Sequence, residues 1–335
     1  MITTCWSPCG PATRRRGQFS LKMRILIAGG FGFVGGRLGV HLAKQGHKIV
    51  LGTRKSVAPP LWLPTAEVAK IDWWDNSALL RCCVGVDAVI LAAGVNAQEC
   101  DIDPVAGLAF NGLATARMVS AASGAGVRRI IYLSTAHVYA SPLVGIITED
   151  TCPRNLHPYA TSHLAGEKAV LGASQRGNIE GIVLRLSNAF GAPMDKGVNC
   201  WMLLVNDLCR QLIDTQRMVV HSTGVQRRDF ITLEDVCCAT AHLLALPVRE
   251  LGNGLFNVGG AWAPTIWEMA CLLGERCEAI LGFSPEMVRT TPFSGESGAV
   301  LDYRLDALQQ TGFHPSADRV EEIDQLIKFC SAYLG

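Results

Sequence analysis

The sequence predicts an α/β fold, a doubly wound parallel sheet with a smaller lobe partly interleaved with it. Three observations carry this expectation. Short apolar runs alternate with amphipathic stretches from Met23 onward, and a glycine-rich turn, "AGGFGFVGG", joins the first run to the first helix. Beyond about residue 190 the apolar runs shorten while Gly, Pro and Asn become frequent.

Taken in order, "MRILIAGG" reads as a buried strand, "FVGGRLGVHLAKQG" as a helix ending at Gly46, and "HKIVLGTR" as a second strand. "VDAVILAAG", "RRIIYLST" and "GIVLRLSNAF" repeat the same run-into-turn grammar, with helical segments around 103–125 and 159–175 between them. Strand, helix, strand in succession implies crossovers and hence parallel pairing. After residue 190 the strands "MVVH" and "RRDFIT" are short, and the helix "EDVCCATAHLLAL" follows Thr232. The expected organisation is an N-terminal extension over 1–22 and a sheet domain over 23–190 to which the chain returns around 225–260. Residues 191–224 and 261–335 then form mainly the second lobe.

With 335 residues and 49% apolar composition, the chain can bury a sizeable core. Its 30 Lys and Arg balance 29 Asp and Glu, which gives no electrostatic footprint for nucleic acid or an anionic membrane surface. A small molecule is the expected partner. The 13 cysteines are odd in number, form no CxxC pair, and include Cys82, Cys83, Cys237, Cys238 and Cys271 inside apolar segments. They read as reduced core residues, and no metal site is expected. Residues 1–22 lack an apolar core and acidic side chains. They are therefore neither a secretory signal nor a membrane anchor, which leaves a disordered extension ahead of Met23 or a transit peptide. No run approaches the length of a membrane helix.

Gly29, Gly32 and Gly35 make a GxxGxxG spacing directly after a strand and at the opening of a helix. Glycine permits the tight turn and the close backbone approach, and the unpaired N–H groups of the helix start suit a pyrophosphate. The turn therefore predicts a dinucleotide-binding (Rossmann) fold. In that fold an acidic residue ending the second strand bonds the adenosine ribose, whereas a nearby arginine suits a 2′-phosphate. Here the strand ends Thr53, Arg54, Lys55 without a carboxylate. NADP is favoured with NAD remaining open, and a solvated loop is the structural alternative for Arg54 and Lys55.

The ordered set GxxGxxG, "LSTAHVYA", "PYATSH", "RLSNAFGAP", "GVQRRDFITLEDV" and "GLFNVGG" resembles the extended short-chain dehydrogenases/reductases, a family of nucleotide-sugar epimerases, dehydratases and reductases. The likeness runs from residue 23 to about 315, where "LDYRLDALQQTGFHP" is similar to the family's C-terminal helix and turn. It implies Tyr159 as acid/base, Thr135 as the hydroxyl that orients the substrate oxygen, and Asn111 as a supporting helix residue. It places Phe33, Val34, Ala92 and Ala93 on the cofactor with the glycines, and Asp72 with Trp73 where adenine is held. Asn188 and Arg228 fall on the sugar nucleotide, Arg228 at its diphosphate; an ion pair with Asp229 or Asp235 is the structural alternative for Arg228. A cytoplasmic homodimer is also implied. The family's second phosphate-binding arginine is missing from "TTPFSGESG", with Arg289 nearby but displaced. "TAHVY" has Ala136 and His137 where a dehydratase has an acidic pair, which ranks dehydration last.

One departure falls on the chemistry itself. The family carries a lysine four residues after the tyrosine, and this chain carries His163. The i,i+4 spacing keeps both side chains on one helix face. Imidazole is mostly neutral at pH 7, though it can still give one hydrogen bond to a cofactor ribose. His137 offers a second proton-transfer group or simply packs in its loop. Two expectations follow: an NAD(P)-dependent enzyme performing epimerisation or keto-sugar reduction on a nucleotide sugar, or an NAD(P)-binding protein with weak or no turnover.

Overall fold

A computed structural model of the chain describes residues 22–293 and 295–333. Of the expected extension over 1–22, residues 1–21 lie outside the described residues, as do Cys5 and Cys9. Seven strands form one sheet in the spatial order Leu255–Val258, Glu180–Leu186, Arg129–Thr135, Ala88–Leu91, Arg24–Ala28, Lys48–Thr53, Glu67–Lys70, and every neighbouring pair is parallel. The chain runs outward from the interior strand Arg24–Ala28 to one edge and then resumes on its other side with Ala88–Leu91. The strand order thus reverses between those two strands, and in such sheets the crevice at that point is where ligands bind.

Alternation along the strands explains why helices cover both faces. In Arg24–Ala28, Ile25 and Ile27 enter one core with Leu38 and Leu42 of the helix Phe33–Lys44 and Val236 and Leu243 of the helix Leu233–Ala245. Leu26 and Ala28 point the other way, against Leu79, Met118 and Val170 from the helices Asn76–Cys83, Thr115–Gly124 and Pro158–Gln175. A strand buried on both faces is a continuous apolar run, and that is the pattern these strands carry. Glu67–Lys70 gives no such signal, because it is a short polar edge strand.

The run "GIVLRLSNAF" divides at Ser187: Glu180–Leu186 stays in the main sheet, while Asn188–Phe190 leaves it to pair with Phe230–Thr232. Beyond this point the second lobe packs the helices Leu204–Thr215, Ile266–Leu281 and Arg319–Tyr333 around Leu208, Leu273 and Ile327. Thr232 caps the helix Leu233–Ala245 by accepting the N–H of Asp235, and through that helix and the strand Leu255–Val258 the chain rejoins the sheet. Cys83 and Cys237 are buried, and Cys82, Cys238 and Cys271 are half-buried. Among those residues no helix is long and apolar enough to cross a membrane.

The expected helix around 103–125 is a composite. Ala97–Ile102 and Pro104–Gly107 lead into a π-helical turn, Leu108–Ala114, before Thr115–Gly124. A π turn widens the backbone by one residue, and Asn111 sits inside it.

The returning segment is fastened by Arg129, which is 1% exposed. Its Nε donates to Glu180 Oε2 at 2.7 Å, and its Nη1 donates to the carbonyls of Leu243 and Leu244 at 2.8 and 2.7 Å, closing the end of the helix Leu233–Ala245. Arg129→Met should strand the carboxylate and two buried carbonyls, lowering stability by about 3 kcal/mol. Urea unfolding is the check: the midpoint should fall with an unchanged slope, and a loss below about 0.5 kcal/mol would remove this role.

Candidate active site

The first strand leads directly into the glycine turn. Gly29 adopts φ +88°, and a Cβ there would lie 2.6 Å from the Ala93 nitrogen, so only glycine lets the first and fourth strands end side by side. Gly29 and Gly30 donate to the carbonyl of Gly52 at 3.1 and 3.2 Å, which holds the end of Lys48–Thr53 beside the turn. A Cβ on Gly35 would come within 2.2 Å of the Gly29 oxygen, so the helix start is seated on the turn. Gly32 differs, because a Cβ there would meet only the Gly29 oxygen, at 3.1 Å. Gly32 is also the N-cap of Phe33–Lys44 and supplies no side-chain cap, leaving first-turn N–H groups for a ligand. These features fit the pyrophosphate of a nicotinamide dinucleotide.

From this turn a cleft of about 290 Å³ extends over the carboxyl ends of the strands. Phe33, Val34, Ala92 and Ala93 line it near the glycines, and Thr135, His137, Tyr159, His163 and Asn188 line it further along. Asn111 stands behind the wall. Its Oδ1 accepts the Val95 N–H at 2.8 Å, and its Nδ2 donates to the Val95 carbonyl at 3.1 Å and to Ser162 Oγ at 3.0 Å.

Pro158 at the first helical position and the His157 ring, which accepts the Tyr159 N–H, start the helix and place Tyr159 in its first turn. Tyr159 and His163 meet edge to face with ring centroids 4.5 Å apart. Burial pushes the Tyr159 phenol up to about 12, only partly offset by hydrogen bonding with Thr135. Burial, with His137 nearby, pushes His163 down to about 3. His137 is also lowered, first by burial and then by Arg228 and His157. The residues around the phenol are therefore neutral near pH 7.

Tyr132 and Glu167, which hold this arrangement, fall outside the ordered motifs, while their partners Ser134 and Arg185 lie inside "LSTAHVYA" and "RLSNAFGAP". Tyr132, 1% exposed, places its hydroxyl 2.8 Å from His163 Nδ1. Glu167 accepts from Arg185 through both oxygens, at 2.9 and 2.6 Å, and from Ser134 Oγ at 2.6 Å. The one available signal is spacing, since Glu167 lies four residues beyond His163 on the same helix face.

Of the remaining predicted residues, Asn188 lines the cleft, while Thr53, Arg54, Asp72, Trp73 and Arg228 are not among its lining residues. Asn188 donates through Nδ2 to the Asp229 carbonyl at 2.9 Å. Arg228 makes one side-chain bond, to Gln226 at 3.3 Å, and forms no ion pair among the described residues. The alternative of a pair with Asp229 or Asp235 is not what the structure shows. Asp229 instead receives the N–H groups of Gly260 and Trp262, and Asp235 those of Ser316 and Ala317. Thr53 accepts the Lys55 N–H, and Arg54 is exposed. Asp72 is exposed, and the Trp73 ring is buried in the core edge-on to Phe110 at 5.1 Å. Arg289 lies over the Trp267 ring at 4.1 Å and donates to the Thr223 carbonyl.

Comparison with known proteins agrees with this geometry. Residues 25–259, more than half of the chain, match the family described as the NAD dependent epimerase/dehydratase family. A dTDP-6-deoxy-L-talose 4-dehydrogenase (NAD(P)(+)) of Kitasatospora kifunensis is 29% identical over 244 residues, covering 69% of this chain and 74% of its own. The UDP-glucose 4-epimerase of Thermus thermophilus in complex with NAD superposes with a TM-score of 0.77 at 21% identity, over 93% of this chain and 100% of that one. RMD from Pseudomonas aeruginosa complexed with NADPH superposes at 0.72 and 23% identity, over 93% and 99%.

The two glycines at the helix start separate binding from folding. Gly32→Val should keep the circular dichroism spectrum while weakening dinucleotide binding at least about 100-fold, since the branched side chain enters the pyrophosphate path. Gly35→Ala should instead destabilise the fold by about 2 kcal/mol or more through collision with the Gly29 carbonyl. Paired nucleotide titration and thermal melts check both, and normal binding by Gly32→Val would refute the phosphate-loop assignment.

Proposed function

The chain belongs to the NAD dependent epimerase/dehydratase family, and from that premise we propose that it is an enzyme reducing a keto group on the sugar of a nucleotide sugar, with NADP favoured as cofactor. The observation that carries this reading is the neutral pair at the catalytic positions. Tyr159 is held as a phenol beside an imidazole, with no ammonium to draw out its proton. Reduction of a ketone needs a proton donor, and oxidation of an alcohol, the opening step of epimerisation, needs a base. A phenol at about 12 is almost wholly in the donor form at pH 7.

Bound nicotinamide would supply the hydride, received at the carbonyl carbon. Gly29, Gly32, Phe33, Val34 and Gly35 would hold the dinucleotide by backbone contact, with Ala92 and Ala93 closing the opposite wall. Thr135 would orient the substrate oxygen, and Tyr159 would pass its proton to that oxygen, regaining one from solvent afterwards. His163 would give one hydrogen bond to the cofactor ribose. Arg228, without a carboxylate partner and partly desolvated, suits a diphosphate, and Asn188 has its Oδ1 available for a sugar hydroxyl. The exposed apolar residues Ile102, Val105, Leu108 and Leu113 support a homodimer packed along this stretch.

Arg54 stands next to the end of the strand that the glycine turn grips, and the strand itself ends without a carboxylate. Combining Thr53→Asp with Arg54→Ala should lower the NADP-to-NAD affinity ratio at least about tenfold, because a carboxylate repels a 2′-phosphate and accepts from a 2′-hydroxyl. Titration of both nucleotides against both proteins decides it, and an unchanged ratio excludes Arg54 from the site.

Protonation fixes the pH dependence. Between pH 5 and 9 neither His163, at about 3, nor Tyr159, at about 12, changes state. kcat/KM for reduction should be flat there, while that for alcohol oxidation should rise about tenfold per pH unit as phenolate accumulates. His163→Lys should lower the Tyr159 pKa and bring the oxidation limb to a plateau at lower pH. A wild-type oxidation plateau near neutrality would overturn the proton-donor assignment. No turnover over a panel of keto and hydroxy sugar nucleotides, with dinucleotide bound, would favour the binding-protein reading instead.

A further inference from the structure

The proposed reaction needs a hydrogen-bond donor from residue 163, and a neutral imidazole carries a proton on only one of its two nitrogens. We propose that Tyr132 is the positioning residue that makes this choice: its hydroxyl donates to His163 Nδ1, which places the ring proton on Nε2 and turns a fixed donor toward the dinucleotide cleft. This rests on the function proposed above, in which His163 faces the cofactor.

The proton inventory favours that arrangement. The Tyr132 hydroxyl has one proton and lies 2.8 Å from Nδ1 and 3.3 Å from the main-chain carbonyl of Asn111, and the Thr115 hydroxyl, itself a donor, also bonds with it. The first distance is ordinary for a hydroxyl donor and the second is long. Neither the oxygen nor the ring has room to move. A Cβ on Gly166 would stand 2.7 Å from the Tyr132 hydroxyl and 2.6 Å from the Asn111 carbonyl, so the helix is pressed against both. The imidazole is enclosed by Tyr132, stacked at 5.7 Å, and by Tyr159, edge-on at 4.5 Å. Its Nε2 lies 4.0 Å from where a Cβ of Gly94, in the cleft wall, would be.

The choice of tautomer matters chemically. A donor at Nε2 leaves a ribose hydroxyl free to give its own proton to the oxygen Tyr159 exposes after proton transfer. An acceptor at Nε2 would draw that proton away. Tyr132 thus restores, with a neutral ring, the donor polarity of an ammonium but not its charge.

The test uses the full chain with 15N-labelled histidine and two-bond 1H–15N correlation spectra, with His163 assigned by its loss in His163→Gln. Wild type should show His163 protonated at Nε2 and bare at Nδ1. Tyr132→Phe should give a mixture of tautomers and weaken NADP or NAD binding roughly tenfold, the worth of one hydrogen bond. Wild-type His163 protonated at Nδ1 would overturn the proposal, as would an Nε2-only ring with unchanged nucleotide affinity in Tyr132→Phe. If that variant does not fold, the wild-type spectrum alone decides. Absence of turnover on every sugar would count against the proposed reaction, while the spectra and titrations would still report on Tyr132.

Discussion

The buried pair between Glu167 and Arg185 is the constraint that places the chemistry. Tyr159, His163 and Glu167 follow one another at four-residue intervals on one face of the helix Pro158–Gln175. Because Glu167 engages Arg185 through both oxygens and also receives Ser134, the helix is fixed against the strands Arg129–Thr135 and Glu180–Leu186 in rotation and along its axis. Removing one member of such a pair costs about 3–5 kcal/mol, since the other is left charged and desolvated. The network extends outward: Arg185 lies over the Tyr139 ring at 4.6 Å, Tyr139 donates to Asn257 Oδ1 at 2.7 Å, and the Tyr303 hydroxyl lies 2.8 Å from the Arg185 carbonyl and 3.0 Å from Asn257 Oδ1. Through Asn257 and Tyr303 the strands Leu255–Val258 and Leu301–Tyr303 join the same lattice.

With ionic contacts set behind the site, its interior is free of net charge. Desolvation keeps the Tyr132 and Tyr159 phenols protonated and His163 and His137 neutral. An ammonium at residue 163 would stabilise a Tyr159 phenolate but bear its own desolvation cost in the same enclosed space. Imidazole avoids that cost and gives up the Coulombic help. The compromise suits proton donation better than proton abstraction, which is why the direction of the proposed reaction follows from residue 163 more than from the fold.

The sequence disclosed the parts whose physics is local. Continuous apolar strands, the capped helix after Thr232 and the glycine turn are written in neighbouring residues, and the cleft gathers Thr135, His137, Tyr159, His163 and Asn188 from their ordered motifs. What stayed hidden depends on residues distant in the chain. Tyr132 sits in "RRIIYLST" and reads as one more apolar strand residue until the helix thirty residues on brings His163 to its hydroxyl. Arg185 reads as a lone charge within a buried run until Glu167 faces it. The burial of Trp73 is hidden for the same reason: it stands beside an exposed aspartate, and only the contact with Phe110 shows its ring packed into the core. The π turn around Asn111 has no local signature; it lies against the helix Pro158–Gln175, where a Cβ on Gly166 would stand 2.6 Å from the Asn111 carbonyl.

Arg228 and Asp229 show how adjacent residues divide between stability and recognition. They lead into the short strand Phe230–Thr232, where neighbouring side chains point to opposite sides. Asp229 turns inward and is satisfied by the N–H groups of Gly260 and Trp262, with no guanidinium required, although burial raises it to about 6. That inward satisfaction leaves Arg228 without its most obvious partner, close enough to His137 to lower it, and itself lowered by desolvation. A partly buried guanidinium held by one amide oxygen carries an uncompensated cost in the free protein, and a phosphate anion would relieve it. In the proposed reading, the segment leading into Phe230–Thr232 therefore contributes to substrate affinity by leaving a charge without a carboxylate partner, while the residues around Tyr159 contribute to chemistry by staying neutral.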